Sequence, residues 1–350
     1  MRTLKIRNWE VPVVLFWVSL LAFGILIPWL GFYADDWPYL YTVKAFGPQG
    51  LNDFISWVRP FSAWVLLAVL IAFSAGLIFQ NANLYRKEFT TLKQFYWELS
   101  WRAPGLEKGT AEVIEESPFN YHVDTSLTPL LNWTYDPLSS STNLPYAVLE
   151  YHKIASKYAS ELENNIPIHQ HFFNYDFNGS NCSLLFVAFD PPGCVRMLTP
   201  QEKDQMLMLA GFKQELNLSN SGLILNDGNY SAQPPVVLGT NSIHDWCYYF
   251  EKADLAAQEG NWKEVVMMGQ TALRASLKPQ YPSELVVFIE GFAHTGDWSQ
   301  AHEFAKTMLK DPFFKSTVCD TWSNLEQDMS TIPDNMKILS GYKKEFGCNS

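Results

Sequence analysis

Two stretches, ADLAAQEGNWKEVVMMGQTAL (residues 253–273) and IEGFAHTGDWSQAHEFAKTML (residues 289–309), align without a gap at an offset of 36 residues. Each has apolar residues at helical spacing on both sides of a central glycine, Gly260 or Gly296. Glycine readily adopts the left-handed backbone conformation that ends a helix. Each stretch is therefore predicted to form two helices joined by a tight turn, within a helical repeat region at residues 241–320.

The residues that follow each glycine are typical of a helix start. Asn261 and Asp297 are predicted N-caps, and Glu264 and Gln300 stand at the third helical position, as a capping box requires. The repeat resembles the tetratricopeptide type, whose period is about 34 residues. This resemblance implies a surface for a protein partner, but a plain pair of helical hairpins without a ligand fits two units equally well. Because such arrays usually need at least about three units, we expect the pair to pack on a neighbouring domain.

The residues before the repeat, 86–240, predict a soluble domain of mixed α+β type. Residues 168–198 alternate apolar and polar side chains between turn sequences, which favours a hairpin followed by a third strand. The other predicted elements are a helix at 87–102, a strand at 110–115, and helices at 127–135 and 147–162. Residues 321–350 are left as a C-terminal tail.

Composition and charge exclude several classes of function. The net charge is −11 and no cluster of five or more lysines and arginines occurs, so nucleic acid is excluded as a partner. The five cysteines include no C-x-x-C pair. Cys182 and Cys194 flank a short extended run, where they form a disulfide or remain two thiols. His169 and His171 share one strand face, but no third ligand has suitable spacing, so no metal site is predicted there.

The N-terminal 85 residues contain two long apolar runs. Residues 11–34 carry no charge, and a second uncharged run covers residues 60–85. About 20 apolar residues cross a bilayer as a helix, so residues 1–85 are predicted to form a transmembrane hairpin around an acidic loop, 31–59. A signal peptide is the alternative for the first run, but that run is too long and lacks a cleavage site. We therefore expect a multi-pass protein of a bacterial cell membrane, with the lipid bilayer as a partner.

The loop between the two runs contains adjacent carboxylates in the sequence GFYADDWP, at Asp35 and Asp36. A carboxylate at the exit of a span can act as a general base toward an acceptor hydroxyl, or bind a divalent metal that holds phosphate oxygens. Either aspartate could instead cap the helix that follows.

The segments YADDWPYLY (33–41) and DFISWVRPFSAW (53–64) resemble the loop after the first span of integral-membrane glycosyltransferases of the C-type fold. That family includes protein O-mannosyltransferases and the aminoarabinose transferase of lipid A. The resemblance implies a polyprenyl-phosphate sugar as donor, Asp35 and then Asp36 as catalytic carboxylates, and Arg59 as a phosphate-binding residue. A divalent metal at Asp35 and Asp36 is the only cofactor that it suggests.

This chain departs from that family in length, because such enzymes commonly have eight or more spans and only two are predicted here. The expected fold is therefore two N-terminal transmembrane helices, an α+β domain and a tetratricopeptide-like helical repeat pair. We interpret the chain as an internally shortened relative of glycosyltransferases, with little or no hexosyl or pentosyl transfer on its own. The alternative interpretation is a membrane-anchored interaction protein that acts through residues 241–320.

Overall fold

The computed structural model describes residues 17, 60–115, 117–152, 165–172, 174–202, 208, 210–240, 244–330 and 333–348. The chain divides into two units, Met1–Thr90 and Thr91–Ser350. The described residues combine helices and sheets, with a helical C-terminal part.

The described helices overturn the predicted multi-pass membrane localisation. Helix α1 (Pro60–Arg102) includes the second predicted span, yet no helix among the described residues is long and apolar enough to cross a membrane. Polar Gln80, Asn81 and Asn83 end the apolar run, whereas a span needs about 20 predominantly apolar residues. Residues 11–34, the first predicted span, lie outside the described residues except for one position.

A four-stranded sheet forms the centre of the second unit, in the order β4 (Ala147–Glu150), β2 (Ala111–Ile114), β7 (Leu184–Ala188) and β8 (Arg196–Leu198). Strand β2 pairs in parallel with β4 and β7, and β8 pairs antiparallel with β7.

The start of the predicted helix at 147–162 is a strand instead. The four residues of β4 are all buried, and their backbone groups pair with β2 across the full length of that strand. A short apolar run has no periodicity that separates a buried strand from a buried helix. Pairing with β2 therefore decides the conformation, and this long-range contact is not visible in local sequence.

Alternate residues of β2 enter cores on opposite faces of this sheet. Ile114 packs with the C-terminal part of α1, through Phe95 and Leu99, and with helix α2 (Asp124–Tyr135). Val113 faces the other core, which contains helix α3 (Ala210–Glu215). Five further strands among the described residues form two more sheets. One pairs β1 (Gly105–Leu106) with β9 (Ile224–Leu225), and the other has the order β3 (Asn143–Leu144), β6 (Tyr175–Ser180) and β5 (Pro167–Phe172).

The C-terminal part contains three consecutive helix pairs. Their bounds are α4 (Trp246–Gln258), α5 (Trp262–Arg274), α6 (Val286–His294), α7 (Trp298–Met308), α8 (Lys315–Asp328) and α9 (Pro333–Glu345). Within each pair the two helices pack together, and α6 also packs on α5. The third pair includes residues 321–345, which the sequence suggested as a tail, and its Trp322 is fully buried.

The helix starts of the repeat are capped as their sequence predicts. The Asn261 side chain accepts a hydrogen bond from the Glu264 backbone N–H, and Asp297 accepts one from Gln300. The preceding Gly260 and Gly296 have φ of 71° and 85°, a conformation that L-residues with side chains rarely adopt.

Close packing of neighbouring helix pairs depends on a glycine in α6. A Cβ on Gly291 would overlap the Val265 side chain of α5. We expect Gly291→Ala to lower the free energy of unfolding by about 1–3 kcal/mol, because overpacking a helix contact costs that much. Gly341 of α9 has no atom near its Cβ position, so Gly341→Ala should instead raise it by about 0.5–1 kcal/mol. Urea denaturation of both variants measures the difference, and equal effects would contradict the packing.

Two disulfides correct the cysteine interpretation. Cys194 pairs with Cys247, and Cys319 pairs with Cys348, whereas Cys182 is free and exposed. The first bond joins the segment before β8 to α4, so its partner lies 53 residues away rather than in the same hairpin. Disulfides are typical of proteins that fold in an oxidising compartment.

Candidate functional site

The residues that the sequence proposed for catalysis, Asp35, Asp36 and Arg59, lie outside the described residues. The two proposed strand histidines are described in β5. The Nδ1 atom of His171 lies 2.8 Å from Asp176 Oδ1, and that of His169 lies 2.5 Å from Asn178 Oδ1. In the part of the chain that the structure describes, no group of three or more His, Cys, Asp or Glu residues could hold a metal ion.

A cavity of about 850 Å³ lies within the second unit, between the helix pairs and the sheet. Three of its walls are the first helices of the three pairs, α4, α6 and α8. The fourth wall is the end of β8 with the short 3-10 helix Pro200–Glu202, next to Arg102 at the end of α1. We call this cavity the groove.

Helical spacing explains why each first helix contributes several side chains. On α4, Phe250, Asp254 and Ala257 follow one another at intervals of three or four residues, so they share one face. On α8, Asn324 and Asp328 are related in the same way. The other faces of these helices pack on the second helix of each pair, which leaves the first helices to line the groove.

Both arginines that line the groove are engaged by acidic or amide groups. The Arg102 Nε atom lies 2.5 Å from Asp254 Oδ2, and its Nη2 atom donates to Gln258 Oε1 at 2.9 Å. Arg196 pairs with Glu202 at 3.2 Å. The arginine side chains are only 4% and 6% exposed, so each positive charge is already compensated inside the wall.

Of the two described glutamates that line the groove, Glu202 is the one with hydrogen-bond and ion-pair partners. The Thr199 backbone N–H donates to its Oε2 at 2.8 Å, and the Thr199 hydroxyl lies 3.1 Å from the same atom. Burial raises the pKa of Glu202, and the positive charge of Arg196 opposes that shift.

Glu290, in the middle of α6, differs from Glu202 because its carboxyl has no hydrogen-bond or ion-pair partner among the described residues. Glu290 is half-buried, and its side chain lines the groove. Burial raises the pKa of Glu290 to about 8, and the negative charges of Asp254, Glu202 and Asp328 act in the same direction. Glu290 is therefore an acidic group without a counter-charge.

The apolar part of the groove lies beside this carboxyl. Trp262 and Ala257 are partly exposed in the groove, whereas Phe250, Val286 and Val287 lie behind its surface as buried core residues. The Trp262 ring is itself held by stacking on His294, with 4.0 Å between the ring centroids. A side chain with an apolar stem and a polar end would contact both kinds of surface.

The groove lining combines acidic, basic and aromatic side chains. Its described residues include neither a histidine nor a cysteine, so no serine or threonine of the groove is placed against a base of that kind. Acid groups, fixed arginines and an aromatic wall instead offer a surface for a polar, elongated ligand.

The sequence predicted helices α1, α4 and α6 of this site but neither α8 nor the charged residues. Arg102 and Asp254 are 152 positions apart, and Glu290 lies on another helix again. Glu290 does occupy the second position of the quoted stretch IEGFAHTGDW, between apolar residues at a position that faces inward. A charged residue at an inward-facing helix position was the sequence feature that could have indicated this site. A scan of family models finds no match to this chain, and searches of curated proteins and of solved structures find none either.

Proposed function

We propose that this chain is a protein-interaction module that binds an extended segment of a partner protein in the groove. One observation carries the proposal: the first helices of three consecutive helix pairs line one continuous cavity. Stacked helix pairs commonly use such a concave surface for binding. The alternative of helical hairpins without a ligand leaves this cavity and its unpaired carboxyl without a role.

The dimensions of the groove suit a peptide. Helices pack at about 8–10 Å, so the first and third helices of the groove are roughly 20 Å apart. An extended chain advances about 3.3 Å per residue, which gives about six residues across that span. The volume of about 850 Å³ is also within the usual range for ligand sites.

Selection of displayed peptides tests this proposal. Random dodecapeptides are selected on the immobilised full chain, and the enriched peptides are then synthesised and titrated by calorimetry. Asn324 is exposed and lines the groove, so Asn324→Trp should fill the site without disturbing the core and weaken binding at least about tenfold. Gln270→Trp, at an exposed position of α5 outside the groove, is the matched control. Failure to enrich any peptide, or equal loss in both variants, would contradict the proposal.

We retain glycosyl transfer as a second proposal, because the sequence at 33–41 resembles the acidic loop of the membrane glycosyltransferases. The resemblance assigns Asp35 and Asp36 as catalytic residues and Arg59 to the donor phosphate. We expect little or no turnover of a polyprenyl-phosphate sugar by this chain alone, since enzymes of that family commonly have eight or more spans and the sequence contains only two long apolar runs. Turnover that Asp35→Asn abolishes would show instead that the chain is an active transferase.

A further inference from the structure

We infer that the groove recognises a cationic side chain, a lysine or an arginine of the bound segment, and that Glu290 is the residue that pairs with it. This inference rests on the proposed function, which places a protein segment in the groove.

Glu290 lies on the central one of the three first helices that line the groove. It stands on α6, between the first helices of the outer two pairs, and its carboxyl lines the groove without a partner among the described residues. A carboxyl in a partly buried site without a counter-charge is costly to ionise, so a partner that stabilises its charged form is missing from the described part of the chain. A cationic hydrogen-bond donor on a ligand would supply the counter-charge that the described residues do not provide.

The charged side chains that line the groove are mainly acidic. Among the described residues, five acidic and two basic side chains line it; these are Glu202, Asp254, Glu290, Asp320 and Asp328 against Arg102 and Arg196. Both arginines already contact carboxylates in the wall. The electrostatic surroundings of Glu290 are acidic, with Asp254, Glu202 and Asp328 as the charged groups that act on it. An anionic ligand is therefore disfavoured and a cationic one attracted.

The groove also has apolar surface near Glu290. Lysine and arginine bury an aliphatic stem against apolar surface while the charged end reaches a polar partner. Ala257 and Trp262 line the groove together with Glu290 and are only partly buried, so they offer such a surface. A bare metal ion fits less well, because the described residues contain no group of three metal-ligating side chains.

Peptide pools test the inference. The probes are three pools of capped octapeptides that carry lysine, norleucine or glutamate at one fixed position and a random mixture of uncharged residues elsewhere. Norleucine keeps the aliphatic stem of lysine and removes its charge. We expect the wild-type chain to bind the lysine pool at least about tenfold more tightly than the norleucine pool.

Glu290→Gln should reduce that preference to about threefold or less, because the amide keeps the shape of the side chain and removes its charge. The matched control is Glu303→Gln, at an exposed glutamate of α7 outside the groove, and it should keep the full preference. The melting temperature of each variant shows that it is folded.

A proton count gives an independent readout. Because the pKa of Glu290 is raised to about 8, its carboxyl is mostly protonated at pH 7, and pairing with lysine requires it to ionise. Calorimetry in buffers of different ionisation enthalpy should show release of close to one proton on binding of the lysine pool. Glu290→Gln should abolish that release.

The outcomes separate the inference from the proposed function. If the three pools bind with equal affinity and Asn324→Trp weakens them all, the cationic inference is overturned while the groove remains a binding site. If the lysine preference survives in Glu290→Gln, Glu290 is not the pairing residue and the inference is likewise overturned. If no pool binds the wild-type chain, the proposed function fails with it.

Discussion

Replacing both cysteines of the Cys194–Cys247 disulfide by serine is expected to lower the free energy of unfolding by about 4 kcal/mol. The bond closes a loop of 53 residues, and the loss of chain entropy in the unfolded state scales with the logarithm of that length. Both cysteines are buried in the core of the helix pairs, at 3% exposure each. The measurement is urea unfolding under non-reducing conditions, in a Cys182→Ser background that prevents exchange with the free thiol.

The background substitution is also the control. Cys182 is exposed and outside both disulfides, so Cys182→Ser alone should change stability by less than about 0.5 kcal/mol. A double variant that loses less than about 1 kcal/mol would show that the bond does not hold the segment before β8 to α4 in solution.

The second large effect is expected at Glu112, which is fully buried in the central strand β2. Neither carboxyl oxygen has a hydrogen-bond partner among the residues that the structure describes, and burial raises the pKa of Glu112 to about 8. Between pH 5 and 8 the unfolded chain has therefore lost this proton while the folded chain keeps it. Stability falls as the pH rises through that window, by at most about 1.4 kcal/mol per pH unit for this one group.

Glu112→Gln should remove that contribution. We expect the variant to be more stable than the wild type by about 2–4 kcal/mol at pH 8. At pH 5 the difference should fall to about 1 kcal/mol or less, because the unfolded wild-type side chain is then only partly ionised. Glu98 and Glu290 have pKa values raised to about 8 by burial as well, so the variant keeps part of the pH dependence. Glu107→Gln, at an exposed position, is the control. A wild-type free energy of unfolding that rises from pH 5 to 8 would contradict the expected direction of the pH dependence.

The local features of the repeat were predictable from sequence, because they depend on neighbours within a few residues. Asn261 and Asp297 cap the helices that their spacing indicates. The third helix pair lacks the glycine and the cap that marked the first two. Its long-range packing around Trp322, fully buried in the structure, was therefore not expressed in a local pattern.

Other features of the fold depend on contacts between residues far apart in the sequence, and these contacts could not be predicted. The strand β4 depends on its pairing with β2, and the disulfide at Cys194 depends on a partner in another element. The groove likewise combines residues from α1, β8 and three C-terminal helices. No local spacing relates such positions, whereas the apolar N-terminal runs were locally visible and still led to a membrane localisation that the described helices do not support.

Cross-linking of a bound peptide tests the central claim most directly. A peptide enriched on the full chain is synthesised with benzophenone at one position, irradiated in complex with the protein, and the cross-linked residues are located by mass spectrometry. The groove predicts cross-links to its lining, for example at Val287 of α6 and Asn324 of α8. Met267 is 53% exposed on α5 outside the groove, and cross-links concentrated there, with none in the lining, would contradict the assignment of the groove as the binding site.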